Sequence, residues 1–274
     1  MKFEANKIYN LDVFDYLRLV PENSVDLIVT DPPYNMKKAE WDTFETHQAF
    51  LDFTFEWIDE CIKKLKPTGS LYIFNTPYNS AFILQYLVNK GLFFKNWITW
   101  EKKDGLGYSK RKYATTQETI LFFTKDEKKY TFNADDIRVP YENTARIKHA
   151  KSKGILKNGK RWFPNPKGKL CPDVWHFSSQ RHKEKINGKV QKLPHLTPKP
   201  IDLLERIIRA SSLEGDLVMD PFMGIGSTAL AAIRLKRNFT GTEKNPQYLE
   251  IAVKKIQEID SISSVYFQHS ETQP

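Results

Sequence analysis

The densest chemistry in the chain is Asp31-Pro32-Pro33-Tyr34, placed directly after the apolar run Val25-Asp26-Leu27-Ile28-Val29-Thr30. A carboxylate, a carbonyl stiffened by two proline rings and a phenol are presented together. The set suits a planar ligand with an exocyclic amine, offering two acceptors for its N–H groups and a ring for its face. Neither proline can donate a ladder hydrogen bond, and each disfavours the α conformation in the residue before it. A β-branched run stopped in this way predicts a buried parallel strand. The turn then falls at the carboxyl end of a strand, where open α/β sheets bind their ligands.

A second group of residues lies near the other end. Asp220-Pro221-Phe222-Met223 follows a short apolar strand, Gly224-Ile225-Gly226-Ser227-Thr228 opens a helix, and the strand Asn238–Glu243 ends in an acid. Gly224-x-Gly226-x-x-Ala229 is the generic nucleotide pattern, with Glu243 at about the 20-residue offset of a ribose-binding acid. By itself this pattern suits NAD, FAD or S-adenosylmethionine equally. Asp220 puts a carboxylate where a dinucleotide would bring its pyrophosphate, which favours a cationic ligand such as the methionine ammonium of S-adenosylmethionine.

The elements that must position these groups alternate along the chain. Strands are predicted at Lys7–Asn10, Val25–Thr30, Ser70–Phe74, Phe93–Trp100 and Glu118–Thr124, and again at Asp216–Met219 and Asn238–Glu243. Helical spacing of apolar residues is found over His47–Leu65, Pro77–Asn89, Ile201–Ala210 and Pro246–Glu258. The polar link from Lys102 to Thr116 reads as a surface loop.

At 274 residues the chain can bury a large core, and its net charge is +9. That charge is local: residues 126–192 hold 17 Lys and Arg against 7 Asp and Glu, a surplus of +10. A cationic block of this kind points to a polyanion partner. Lys160, Arg161, Gln180, Arg181 and Lys183 are its leading candidates for contact, whereas Trp162, Phe163 and Trp175 are expected to form its small core. The domain plan is therefore a first half over 1–125, a basic insertion over 126–192, a second half over 193–260 and a loose tail over 261–274. Two cysteines, Cys61 and Cys171, are too few for a disulfide framework or a cysteine zinc site, and no metal is expected. No apolar stretch approaches membrane-spanning length and the N-terminus lacks a signal-peptide core, so a cytoplasmic protein is expected.

With the Asp31 turn first, the basic segment in the middle and the glycine turn last, the chain resembles the β class of DNA amino-methyltransferases. Gly154–Pro166 and Val174–Lys185 look like the MboII-type adenine methyltransferases in particular. The resemblance implies a Rossmann-like S-adenosylmethionine-dependent methyltransferase fold, circularly permuted. Its α/β core would be a mostly parallel seven-stranded sheet with helices on both faces and an inserted target-recognition region. It further implies that Asp31, Pro32, Pro33 and Tyr34 are catalytic, acting on the N6 amine of an adenine flipped out of double-stranded DNA. The cofactor residues it implies are Asp12, Asp31, His195, Thr197, Lys199, Asp220, Phe222, Gly224, Gly226, Ser227, Thr228 and Glu243. Within that set Asp12 would approach the adenine of the cofactor, and His195 and Lys199 its methionine carboxylate. A restriction-modification setting is implied, in which a second copy of the chain and a cognate restriction endonuclease are open as partners.

Cytosine-N4 methylation uses the same geometry, and a catalytically silent DNA-binding protein is the alternative from another class. Cytosine-C5 chemistry needs a thiolate that neither cysteine supplies. If the basic segment meets phosphates, affinity should fall linearly in a plot of log K against log salt, because each contact releases condensed counterions. Salt titration of DNA binding measures that slope, and a flat line contradicts the assignment.

Overall fold

The computed structural model describes residues 2–106, 110–142, 144–179, 183–186, 189–192 and 198–259. Its first half runs β1 (Lys7–Tyr9), α1 (Val13–Leu19), β2 (Val25–Thr30), a 3-10 turn at Glu40–Asp42, α2 (His47–Lys64), β3 (Leu65–Asn75), α3 (Pro77–Asn89), β4 (Phe93–Leu106) and β5 (Thr115–Thr124). The basic segment contributes α4 (Thr144–Lys153), β6 (Ile155–Lys157), β7 (Lys160–Trp162), β8 (Val174–His176), β9 (Lys183–Ile186) and β10 (Lys189–Lys192). The second half is α5 (Ile201–Ser211), β11 (Leu217–Asp220), α6 (Ser227–Arg234), β12 (Asn238–Thr242) and α7 (Pro246–Ile259).

Strand alternation sorts the core into two layers. In β2 and β3, Leu27, Val29, Tyr72 and Phe74 face one cluster with Leu203, Ile207, Ala231 and Ile256 of α5 to α7. Ile28, Leu71 and Ile73 face the other, with Leu17, Trp57, Ile58 and Ile83 of α1 to α3. Successive side chains of a strand point to opposite faces, so the two lists place helices on both sides of one sheet. The sheet order is β1-β12-β11-β2-β3-β5-β4-β8. β1, β12, β11, β2 and β3 pair in parallel, and β5 is antiparallel to both β3 and β4.

The expected seven strands are all present, and the basic segment adds an eighth. β8 pairs in parallel with β4 through Thr99–Val174, Trp100–Trp175 and Glu101–His176. Trp175 is 5% exposed within the main core. The Arg206 guanidinium of α5 lies over Trp175 and Phe177, 5.1 and 4.4 Å from the ring centroids. The expected small core of the insertion is thus corrected: Trp175 belongs to the main sheet, while Trp162 and Phe163 are 41% and 55% exposed. A three-residue strand buries too little area to enclose them. The link from Lys102 to Thr116 also departs from a simple loop. β4 and β5 continue into it and pair as far as Leu106 with Thr115, because antiparallel arms can satisfy each other's backbone groups.

The permutation is visible at the sheet edge. Lys7, Ile8 and Tyr9 pair with Thr240, Gly241 and Thr242. β11 then lies against β2, joining the second half to the first at the place where the strand order reverses. The carboxyl ends of β2, β11 and β12, and with them Asp31, Asp220 and Glu243, come together there. Gly241 is where this junction is tightest. An added Cβ would sit 2.3 Å from the Asp220 carbonyl oxygen and 2.3 Å from Met223 Cε. Gly241→Ala should therefore destabilise the fold by about 1–3 kcal/mol, read as a lower Tm in thermal unfolding.

Candidate functional site

The Asp31 turn is held by an ion network that crosses the chain. Lys199 Nζ donates to Asp31 Oδ2 at 2.6 Å and lies 3.3 Å from Glu118 Oε2. The Tyr34 hydroxyl donates to Asp31 Oδ1 at 2.6 Å and approaches Glu118 Oε2 at 3.5 Å. Lys102 closes the row on Glu118 Oε1. Lysine and carboxylate thus alternate, Lys102–Glu118–Lys199–Asp31, and each buried charge has an opposite neighbour. Burial pushes the Asp31 carboxyl above its ordinary range against the pull of Lys199. Burial pushes Glu118 the same way, but Lys199 and Lys102 together hold it below the usual range. Burial would depress Lys199, yet Asp31 and Glu118 keep it above its ordinary value.

Asp42 and Asn79 fix the backbone of Tyr34 from its two sides. Asp42, 3% exposed, accepts from the backbone N–H of Tyr34 at 2.6 Å and of Met36 at 3.0 Å. Asn79 Nδ2 donates to the Tyr34 carbonyl at 2.9 Å and to Asn75 Oδ1 at 2.8 Å.

The glycine turn is built with similar economy. Asp220, buried at 3%, accepts from the Thr228 hydroxyl at 2.6 Å and from the Phe222 N–H at 3.0 Å. Glu243 accepts from the Gly224 N–H at 2.9 Å and the Asn245 N–H at 2.7 Å. Gly226 has φ +84° and caps α6, where a Cβ would meet Ala252 Cβ at 2.9 Å. Ser227 and Thr228 follow in the first turn of α6. Asp12 caps α1 through Phe14 N–H at 3.1 Å, and Lys244 Nζ lies 3.4 Å from its other oxygen. The Asn10 side chain ties this corner to the Glu243 carbonyl at 2.8 Å.

These groups share one cavity of about 340 Å³. Asp12, Asp31, Pro32, Pro33, Tyr34, Trp41, Glu118, Lys199, Phe222, Gly224 and Glu243 are among its walls. A smaller recess of about 40 Å³ adjoins it through Asp31, Lys199, Phe222 and Gly224, and reaches Asp220, Ser227 and Thr228. Ligand pockets run from roughly 300 to 1,000 Å³, so the larger cavity alone is of ligand size.

The two sequence motifs, 189 positions apart from Asp31 to Asp220, thus face a common space. Lys199 lines both the cavity and the recess, and it is paired with Asp31 there because an ammonium only 6% exposed requires a counter-ion. Lys160 and Arg161 are exposed on β7, with Arg161 Nη1 donating to the Lys153 carbonyl at 2.5 Å. Lys183 falls in β9. His195, Thr197, Gln180 and Arg181 lie outside the described residues. Sequence reasoning missed Glu118, Lys102, Asp42 and Asn79. The one signal for Glu118 was an acid at the mouth of an apolar strand, and its partners come from other elements.

A family model of DNA methylases matches residues 25–254. The chain belongs to the DNA methylase family. It is an enzyme of the DNA methyltransferase class, built on the permuted core described above. The type II methyltransferase M1.MboII of Moraxella bovis is 63% identical over 91% of this chain and 95% of its own. The DNA adenine methyltransferase YhdJ of Escherichia coli K12 is 35% identical, covering 92% and 83%. Among solved structures, an M1.HpyAVI–SAM complex aligns over 91% of this chain and 98% of that one, at 26% identity and a TM-score of 0.60. The cytosine-N4-specific PvuII DNA methyltransferase, at 21% identity and a TM-score of 0.67 over 93% and 91%, shares the fold.

Burial pushes Asp220 up to about 7 despite its hydrogen bonds from Thr228 and Phe222. The folded chain therefore keeps a proton that the unfolded chain releases in the ordinary carboxylate range. The resulting stability is complete below that range and lost as pH rises through about 7. Asp220→Asn, whose amide oxygen accepts from the Phe222 N–H while its amide nitrogen donates to the Thr228 hydroxyl oxygen, should unfold at a higher temperature than the unmutated cofactor-free protein at pH 8. The gap should close toward pH 4 in thermal scans, and a gap independent of pH contradicts the assignment.

Proposed function

We propose that this methyltransferase transfers a methyl group from S-adenosylmethionine to the N6 amine of an adenine in a short specific double-stranded DNA sequence. The observation that carries the reading is the single cavity with the Asp31 turn on one wall and Glu243 and Phe222 on another. The donor set fits the cofactor. Asp12 and Glu243 offer carboxylates to an adenosine moiety, Phe222 an apolar face, and Asp220 a carboxylate to the methionine ammonium. When bound, S-adenosylmethionine supplies an electrophilic sulfonium methyl.

The exocyclic amine of adenine is a poor nucleophile because its lone pair is delocalised into the ring. Asp31 and the Pro32 carbonyl accept its two N–H bonds, which localises that pair and stabilises the positive charge growing on nitrogen. Tyr34 stacks on the flipped base, and its hydroxyl and Lys199 orient the Asp31 carboxylate from two sides. Trp41, which lines the same cavity, would meet the other face of the base. Adenine is favoured over cytosine by the acid at the first position of the turn and by the kinship with YhdJ and M1.MboII. Residues 126–192 would form the target-recognition region, with Lys160, Arg161, Gln180, Arg181 and Lys183 its candidate DNA contacts. The type II relatives support a cytoplasmic restriction-modification setting with a cognate endonuclease.

Incubation of duplex DNA with methyl-labelled cofactor, followed by nucleoside analysis, should give label in N6-methyladenine. Label in the cytosine fraction would transfer the assignment to N4 methylation. Asp31→Ala should lower turnover by at least about 10²-fold while leaving most DNA affinity.

A further inference from the structure

We propose that the loop from Asn35 to Asp42 is a wedge that enters the DNA duplex, with Met36 as the inserted side chain. The inference rests on the base-flipping reading above and deepens it. A flipped adenine leaves a gap between its stacked neighbours, and something must oppose its return. Minor-groove and architectural proteins insert apolar side chains, methionine among them, between base steps.

The loop has the features this task requires. Met36 is 43% exposed, an apolar side chain held in water, and Lys37 and Lys38 beside it are also exposed. Met36 and Lys38 are among the residues that line the same cavity as Asp31 and Tyr34. Only one residue separates Met36 from Tyr34, so their backbones are at most about 7 Å apart. The wedge is thus tied to the ring on which the base would stack. Two cations next to an apolar tip complement phosphates on either side of a base step. Glu40 is the exposed acid of the loop and lies four residues from the tip.

A wedge must also be rigid, and this loop is held in a costly shape. Asn35 and Lys37 both take left-handed φ values, 57° and 56°. The buried Asp42 carboxylate holds them there. It accepts from Tyr34, Met36 and Lys38 N–H at 2.6, 3.0 and 3.4 Å, and the Asp42 carbonyl accepts from Lys37 N–H at 3.1 Å. Asn35 Oδ1 accepts from Phe44 N–H at 3.2 Å on the far side. A loop whose only duty was to connect β2 to α2 would have no need of two strained non-glycine residues and a buried acid. Its tip would not need to be apolar.

The test compares two duplexes, one with the target adenine paired to thymine and one with an abasic site opposite it. Removing the pairing partner lowers the cost of flipping, so a wedge matters less on the second duplex. Met36→Ala should reduce kcat/KM about tenfold on the paired duplex and by less than about threefold on the abasic one. Met36→Leu, which keeps an apolar tip, should restore the paired-duplex rate. The fluorescence of 2-aminopurine at the target position should fall with Met36→Ala in the paired duplex. Equal losses on both duplexes, or no loss on either, would overturn the wedge. So would a loss of cofactor affinity for Met36→Ala by calorimetry large enough to account for the whole loss on the paired duplex, since the side chain would then act on the cofactor alone. Unmutated protein that methylates adenine in neither duplex would instead remove the function on which the inference rests.

Discussion

The ammonium of Lys199 is the interaction on which the site depends. It comes from the second half of the chain and is buried between Asp31 and Glu118 of the first. It is also ringed by Tyr34, Phe74 and Trp100 at 5.3, 5.4 and 5.9 Å from their centroids. Removing one member of such a network leaves an uncompensated buried charge, which is far more costly than losing a surface pair. The Asp31 carboxylate is therefore oriented by a residue 168 positions away. The two halves of the core cannot separate without exposing it.

That dependence explains the shape of the sheet around it. β2 and β11 are neighbours although the basic segment and several helices separate them in sequence. Their parallel pairing brings the Asp31 turn and the Asp220 turn to the same edge, where strand order reverses and a crevice opens. The basic segment is not a separate appendage to this core. Through β8 it extends the sheet beside β4, where Trp100 Nε1 donates to the Phe177 carbonyl at 3.0 Å. The same Trp100 ring lies near Lys102 and Lys199. The cationic region and the buried ion row thus meet on one strand, β4.

Much of this was legible in the residues alone. The β-branched run before Asp31 and the Asp-Pro-Pro stop define a strand and its end by local stereochemistry. The two glycines and the acid at Glu243 define a nucleotide turn for the same reason. Period-2 and period-3.6 apolar spacing assigned the strands and helices, because each must bury one face. The surplus of charge in residues 126–192 is a matter of composition. Together with the motif order, these features carried the family, the fold and the place of the cavity.

Tertiary structure decided which polar groups meet. Glu118 and Lys102 lie on facing strands, and their contact depends on the β4–β5 register, which no local pattern encodes. A buried ammonium such as Lys199 takes its nearest counter-ions, and these are known only once β2 and β5 are in place. Trp162, Phe163 and Trp175 have similar sequence surroundings and opposite fates. Only Trp175 stands on a strand that the sheet edge can accept. Residue type and spacing determine what a segment can do locally. Contacts across the sheet depend on packing the whole chain, and they settled how Asp31 is held.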